Sequence, residues 1–159
     1  MDQRLVGRNI TLTLVGDGPE QQRLTALVKE LKLDDRIKFI PPEQINAIKE
    51  AFESAHAFLA PYDVAADGDR DGISNVILEA FAYHLPVIGT DAGGLKEILT
   101  PKTGLVVPQK NSAAIAEAIV NVLEHPVEAH ERACAARKLV EEHFDIQENI
   151  APLLELIST

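Results

Sequence analysis

The chain predicts a doubly wound, Rossmann-like α/β domain, a parallel sheet with helices on both faces. Three observations carry this. Short apolar runs alternate with stretches of helical period along nearly the whole sequence. Runs such as Ala55-His-Ala-Phe-Leu-Ala60 and Pro86-Val-Ile-Gly89 are short apolar segments rather than strict alternators, as strands of a covered parallel sheet are. The unusual residues gather after the strands, at Gly16-Asp-Gly18, Pro41-Pro42, residues 61–74, residues 90–94 and Pro108-Gln109. In such sheets ligands bind beyond the carboxyl ends of the strands, so these loops mark the functional face. Loops at the other end, such as residues 32–35, read as ordinary charged turns.

Each element follows from its residues. Residues 10–15 are a strand rich in β-branched side chains. Gly16-Asp-Gly-Pro-Glu20 turns into a helix, with Pro19 in its first turn and Leu24, Leu27, Val28 and Leu31 as its apolar stripe. Residues 36–40 are the second strand, broken by Pro41-Pro42. A helix follows through Ile45, Ile48 and Phe52, then a third strand over 55–60. Residues 74–84 form a helix that is apolar nearly all round, with Val76, Ile77, Leu78, Ala80, Phe81 and Ala82, and should be buried. Residues 86–89 are the fourth strand, and a short helix starts after Gly93-Gly94. Residues 104–107 are the fifth. Ser112 caps a helix through Ile115, Ile119 and Leu123, and two more helices fill 129–143 and 146–157. With no linker, low-complexity tract or repeat, residues 1–159 read as one domain.

Composition narrows the function. The net charge of −10 argues against nucleic acid and anionic membrane surfaces as partners. No apolar run has membrane-spanning length, and the first residues show no signal core. The single cysteine, Cys134, suits a reducing compartment and reads as a small buried or half-buried helix residue, so a cytoplasmic location is expected.

The candidate chemistry lies around residues 67–79. Glu79 is the one formal charge on the apolar helix, and a buried carboxylate must meet a donor, a cation or a ligand. Asp71 precedes it by eight positions, in the loop before the helix, so both carboxylates can flank the helix start. The first-turn N–H groups are unpaired there and favour an anion, above all phosphate. A ligand with phosphates and several hydroxyls satisfies both halves. A nucleotide sugar fits this description, and a polyol phosphate fits almost as well.

Other chemistries find less support. Gly16-Asp-Gly18 resembles the start of a dinucleotide fingerprint, but Gln21 stands at the third glycine position and no acid ends the next strand. There is no P-loop. The five histidines are scattered without metal-ligand spacing. The aspartates of residues 67–72 lack a calcium-loop pattern, and any one of them can be simply solvated. No Gly-x-Ser-x-Gly elbow is present, and Ser74 reads as a helix N-cap.

Asp71-Gly-Ile-Ser-Asn-Val-Ile-Leu-Glu79, followed by Ala80, Pro86-Val87, Gly93-Gly94 and Glu97, resembles the carboxylate-x7-glutamate region of the large retaining glycosyltransferase family with the two-domain GT-B fold (group 1, or family 4). Val15-Gly-Asp-Gly-Pro19 and Gly104-Leu-Val-Val107 are similar to the same family, so the resemblance covers nearly the whole chain. It implies the C-terminal, donor-binding half of such an enzyme. Asp71 would stand at the transferred sugar as the catalytic carboxylate. Glu79 would bind ribose hydroxyls. The backbone of Gly72, Ile73, Ser74, Asn75 and Val76 would hold the phosphates, and Gly16 and Gly18 would line the cleft opposite. The implied reaction transfers a sugar from a nucleotide sugar with retention. It needs no metal or other cofactor, because helix N–H groups and basic side chains stabilise the charge.

The sequence departs from the family pattern in three places. Asp71 replaces the usual Glu, and its side chain is one carbon shorter. His84 stands where a glycine usually ends the helix; histidine can take left-handed geometry at some cost. Only nine residues precede Ile10, so the family's first strand and helix, with their diphosphate-gripping Arg and Lys, are expected to be missing, as is the N-terminal acceptor domain. The isolated chain should then be weakly active or inactive, should tend to self-associate through exposed apolar surface, and would reach the inner face of a membrane only through the absent domain. Two rival readings stay open: a nucleotide-sugar epimerase-like domain, and a non-catalytic nucleotide-sugar-binding module.

Overall fold

In a computed structural model of the chain, residues 5, 7–63, 74–145 and 150 are described. They fall into two compact units divided between Ala55 and His56. All strand pairs are parallel, and helices alternate with strands, as expected of the α/β class.

The first unit holds β1 (Leu12–Val15), α1 (Gln21–Glu30), β2 (Ile37–Ile40) and α2 (Ile45–Ser54). β1 and β2 pair from Leu12↔Ile37 to Val15↔Ile40, and the ladder runs on with Gly16 N donating to Ile40 O at 3.0 Å. β1 alternates, with Leu12 and Leu14 half-buried and Thr13 and Val15 exposed. The apolar stripe of α1 is narrower than expected. Val28 is buried, whereas Leu27 and Leu31 are 40% and 49% exposed. Pro19 lies outside the helix: Glu20 is the N-cap residue, and Gln21 N reaches back to Gly18 O at 3.1 Å in a turn.

The second unit holds β3 (Phe58–Ala60), α3 (Asn75–Ala82), β4 (Val87–Thr90), α4 (Leu95–Ile98), β5 (Leu105–Val107), α5 (Ser112–Glu124) and α6 (Pro126–His143). The strand order is β3-β4-β5, with Leu59, Ile88 and Leu105 in one row across the sheet. A parallel row points one way, and these residues with Val107 pack on Ala118, Ile115 and Ile119 of α5. Every residue of β4 is buried, the mark of a strand covered on both faces. α3 packs against β4 and α6, burying Ile77, Ala80 and Phe81. α6 buries Ala129, Ala133 and Ala136, small residues that allow a close approach. Phe81 is wholly buried, and burial of such a ring contributes roughly 1.5–3 kcal/mol.

Several caps differ from expectation. Asn111, not Ser112, is the N-cap of α5, its Oδ1 accepting from Ala114 N at 3.0 Å. Both residue types cap well, and the asparagine comes first in the chain. α6 begins at Pro126, three residues before the expected start, because proline suits a first helical position. The expected last helix, over 146–157, lies outside the described residues apart from Ile150.

Candidate functional site

The start of α3 follows β3 and lies where the carboxyl ends of β3 and β4 are tied together. Thr90, the last residue of β4, is 2% exposed. Its Oγ1 donates to Tyr62 O, just past β3, and lies 3.4 Å from Ala60 O. Tyr62 N donates to Ala60 O at 2.9 Å. The phenol of Tyr62 then donates to Ser74 Oγ at 3.1 Å. Three side chains thus link two strand ends to the first turn of α3.

Ser74 has the extended backbone of an N-cap residue, φ −74° and ψ 125°, but its side chain makes no capping bond. Its carbonyl accepts from Ile77 N at 3.1 Å. No acidic residue lies in the first turn of α3. The opening amides of this helix therefore carry no side-chain cap, and with the helix dipole they form a region of positive potential.

Polar side chains surround these strand ends. Lys110 Nζ pairs with Asp63 Oδ2 at 3.0 Å, joining the segment after β5 to the segment after β3. Asp91, just past β4, pairs with Lys96 of α4, and its carbonyl accepts from Gln109 Nε2. Asp91 N donates to Val107 O at 3.1 Å. The expected functional face of this sheet is thus lined by charged and amide groups on short tethers.

Of the residues picked out by sequence, Ser74, Asn75, Val76 and Glu79 lie on or at the start of α3. Asp71, Gly72 and Ile73 lie outside the described residues. Glu79 is exposed, which corrects the expectation of a carboxylate on a buried helix. α3 has two faces: Ile77, Ala80 and Phe81 are buried, Val76 and Leu78 are half-buried, and Asn75 and Glu79 face solvent. Glu79 therefore needs no internal partner.

Gly16 and Gly18 follow β1 in the first unit. Gly16 takes φ +133°, a conformation that favours glycine, and a Cβ at either position would meet nothing within 4 Å. Gly18 has no such backbone demand.

Tyr62 and Thr90 lie in segments 61–74 and 90–94, which the sequence marked, but neither residue was picked out by itself. A threonine closing an apolar strand was the available signal for Thr90. Nothing local singles out Tyr62. Among the described residues no group of three or more His, Cys, Asp or Glu side chains could hold a metal ion. Cys134 is exposed on α6, 3.5 Å from His130 Nε2, rather than buried or half-buried. No described helix is long and apolar enough to cross a membrane.

The family described as Glycosyl transferases group 1 matches residues 1–125. The chain is 31% identical over 152 residues, 92% of its length, to the GDP-mannose-dependent alpha-(1-6)-phosphatidylinositol monomannoside mannosyltransferase of Mycolicibacterium smegmatis, of which it covers 39%. Among solved structures, sucrose-phosphate synthase from Thermosynechococcus elongatus is 27% identical with a TM-score of 0.78, over 93% of this chain and 38% of that one. Anabaena Alr3699/HepE in complex with UDP-glucose is 23% identical with a TM-score of 0.80, over 93% of this chain and 40% of that one, a likeness of fold. The chain spans only 33–39% of the length of such curated relatives. Its fold is shared with GT-B glycosyltransferases, and the chain belongs to the glycosyl transferases group 1 family.

Proposed function

We propose that this chain forms the donor-binding part of a retaining glycosyltransferase that moves a sugar from a nucleotide sugar to an acceptor held by another domain. The observation that carries the reading is the uncapped start of α3 at the carboxyl ends of β3 and β4. Amides and dipole together favour a phosphate there. Family membership supports sugar transfer. The HepE complex holds UDP-glucose and the mycobacterial relative is named for GDP-mannose, so a nucleoside diphosphate sugar is favoured with the base left open.

In this reading the backbone from Gly72 to Val76 holds the diphosphate. Glu79, exposed one turn into α3, accepts hydrogen bonds from ribose hydroxyls. Asp71 stands at the transferred sugar. When the bond between the anomeric carbon and the diphosphate oxygen breaks, charge builds on the diphosphate. Preorganised N–H groups stabilise that charge, so the reading calls for no metal or other cofactor. The reading places this chemistry in the cytoplasm.

Thermal denaturation with UDP-glucose, GDP-mannose and ADP-glucose tests it. A ligand at 100 times its dissociation constant adds about 2.7 kcal/mol of stability. One of the three should raise the melting temperature on that scale. No shift with any of them at millimolar concentration would overturn the reading.

A further inference from the structure

We propose that Tyr62 is a positioning residue that keeps the start of α3 open for the donor's phosphate; this rests on the donor reading above. A serine before a helix ordinarily turns its hydroxyl oxygen onto the second or third helical amide and satisfies it internally. Ser74 has the backbone shape for that bond and does not make it. Its Oγ accepts instead from the Tyr62 phenol at 3.1 Å.

Tyr62 is itself held in place. Its amide is bonded to Ala60 O at 2.9 Å, and its carbonyl accepts from the buried Thr90 hydroxyl. The ring is half-buried. With the phenol proton on one lone pair of Ser74 Oγ, the serine's own proton stays free to donate. The start of α3 then offers backbone amides and a hydroxyl proton, all donors, which is what a phosphate accepts. Phenylalanine at position 62 would release Ser74 to cap its own helix, and a donor phosphate would have to displace that cap.

The test uses Y62F, S74A and the double variant, each checked for folding by circular dichroism and titrated calorimetrically with UDP, GDP and ADP. Amide spectra of Val76 and Ile77 are recorded on the free chain. Y62F should bind about threefold to tenfold more weakly than wild type, the range a formed N-cap implies. Its Val76 or Ile77 amide should move and exchange more slowly. In the S74A background Y62F should change neither quantity. Thr90→Val releases the Tyr62 carbonyl at similar volume, and it should show the same dependence on Ser74 if Y62F does not fold. A wild-type chain that binds with Y62F unaffected, or a Y62F loss equal in both backgrounds, overturns the role of Tyr62 alone. A wild-type chain that binds none of the three diphosphates overturns the donor reading and this role with it.

Discussion

Arg137 of α6 caps the carboxyl end of α3: its Nη1 donates to the carbonyl of Ala82, 55 residues earlier in the chain. Its Nε holds Glu141 Oε1 at 2.7 Å. A helix carboxyl end carries partial negative charge and unpaired carbonyls, so a guanidinium there satisfies both. The contact fixes one end of the helix whose other end is the candidate phosphate site.

Arg137→Met should therefore lower stability by about 1–2 kcal/mol, the scale of a charged hydrogen bond at a partly buried site. Glu141→Gln should cost far less, because its pair with Arg137 is a largely exposed one. Urea denaturation of both variants checks this. Equal losses would show that the arginine acts through Glu141 and not through the helix end.

His84 ends α3 in left-handed geometry, with φ 56°. His84 N donates to Phe81 O at 3.0 Å and Leu85 N to Ala80 O at 3.0 Å, the paired bonds of a Schellman cap. Lys32, with φ 54°, closes α1 in the same way, with bonds to Lys29 O and from Leu33 N to Val28 O. A non-glycine residue in this region costs roughly 1–2 kcal/mol, partly offset in glycine by its larger unfolded-state entropy. His84→Gly should raise stability by about 0.5–1 kcal/mol, and Lys32→Gly should do so independently. Thermal melts of the two variants and their combination decide it. A loss in H84G would mean that the imidazole makes a contact worth more than the strain.

Gly104 and Gly89 are required for space. A Cβ on Gly104 would strike the Leu99 side chain and lie 2.6 Å from the backbone oxygen of Val87. One on Gly89 would meet only side-chain ends, Leu99 Cδ2 at 2.6 Å and Leu95 Cδ2 at 2.8 Å, as its nearest neighbours. Side chains can yield and a strand carbonyl cannot. Gly104→Ala should cost at least about 2 kcal/mol, and Gly89→Ala less, within the 1–3 kcal/mol range of overpacking. Equal costs in chemical denaturation would contradict this ranking.

The sequence made the α/β class legible because five apolar runs alternate with helical stretches; β1, β2, β3 and β5 fall within those runs, and β4 ends one residue beyond its run, at Thr90. The left-handed His84 was legible only through the family resemblance, in which a glycine usually ends this helix. The burial of Glu79 was misread. Its neighbours Val76 and Leu78 are apolar yet only half-buried, so an apolar list does not show how wide the covered stripe is. The links from Thr90 to Tyr62 and from Arg137 to Ala82 were not legible. They join residues 28 and 55 positions apart, and no local pattern encodes such contacts.

Glu79→Gln tests the central claim most directly, because it alters one exposed carboxylate on the helix that the donor reading uses. Calorimetric titration with whichever nucleotide sugar binds the wild-type chain, beside a urea melt of the free variant, measures both sides. The amide retains the shape and loses charge-assisted hydrogen bonds to ribose, so affinity should fall about tenfold. Stability without ligand should stay within about 0.5 kcal/mol, as for an ordinary surface substitution. Unchanged affinity, with or without a lower melt, would contradict the placement of the donor on α3.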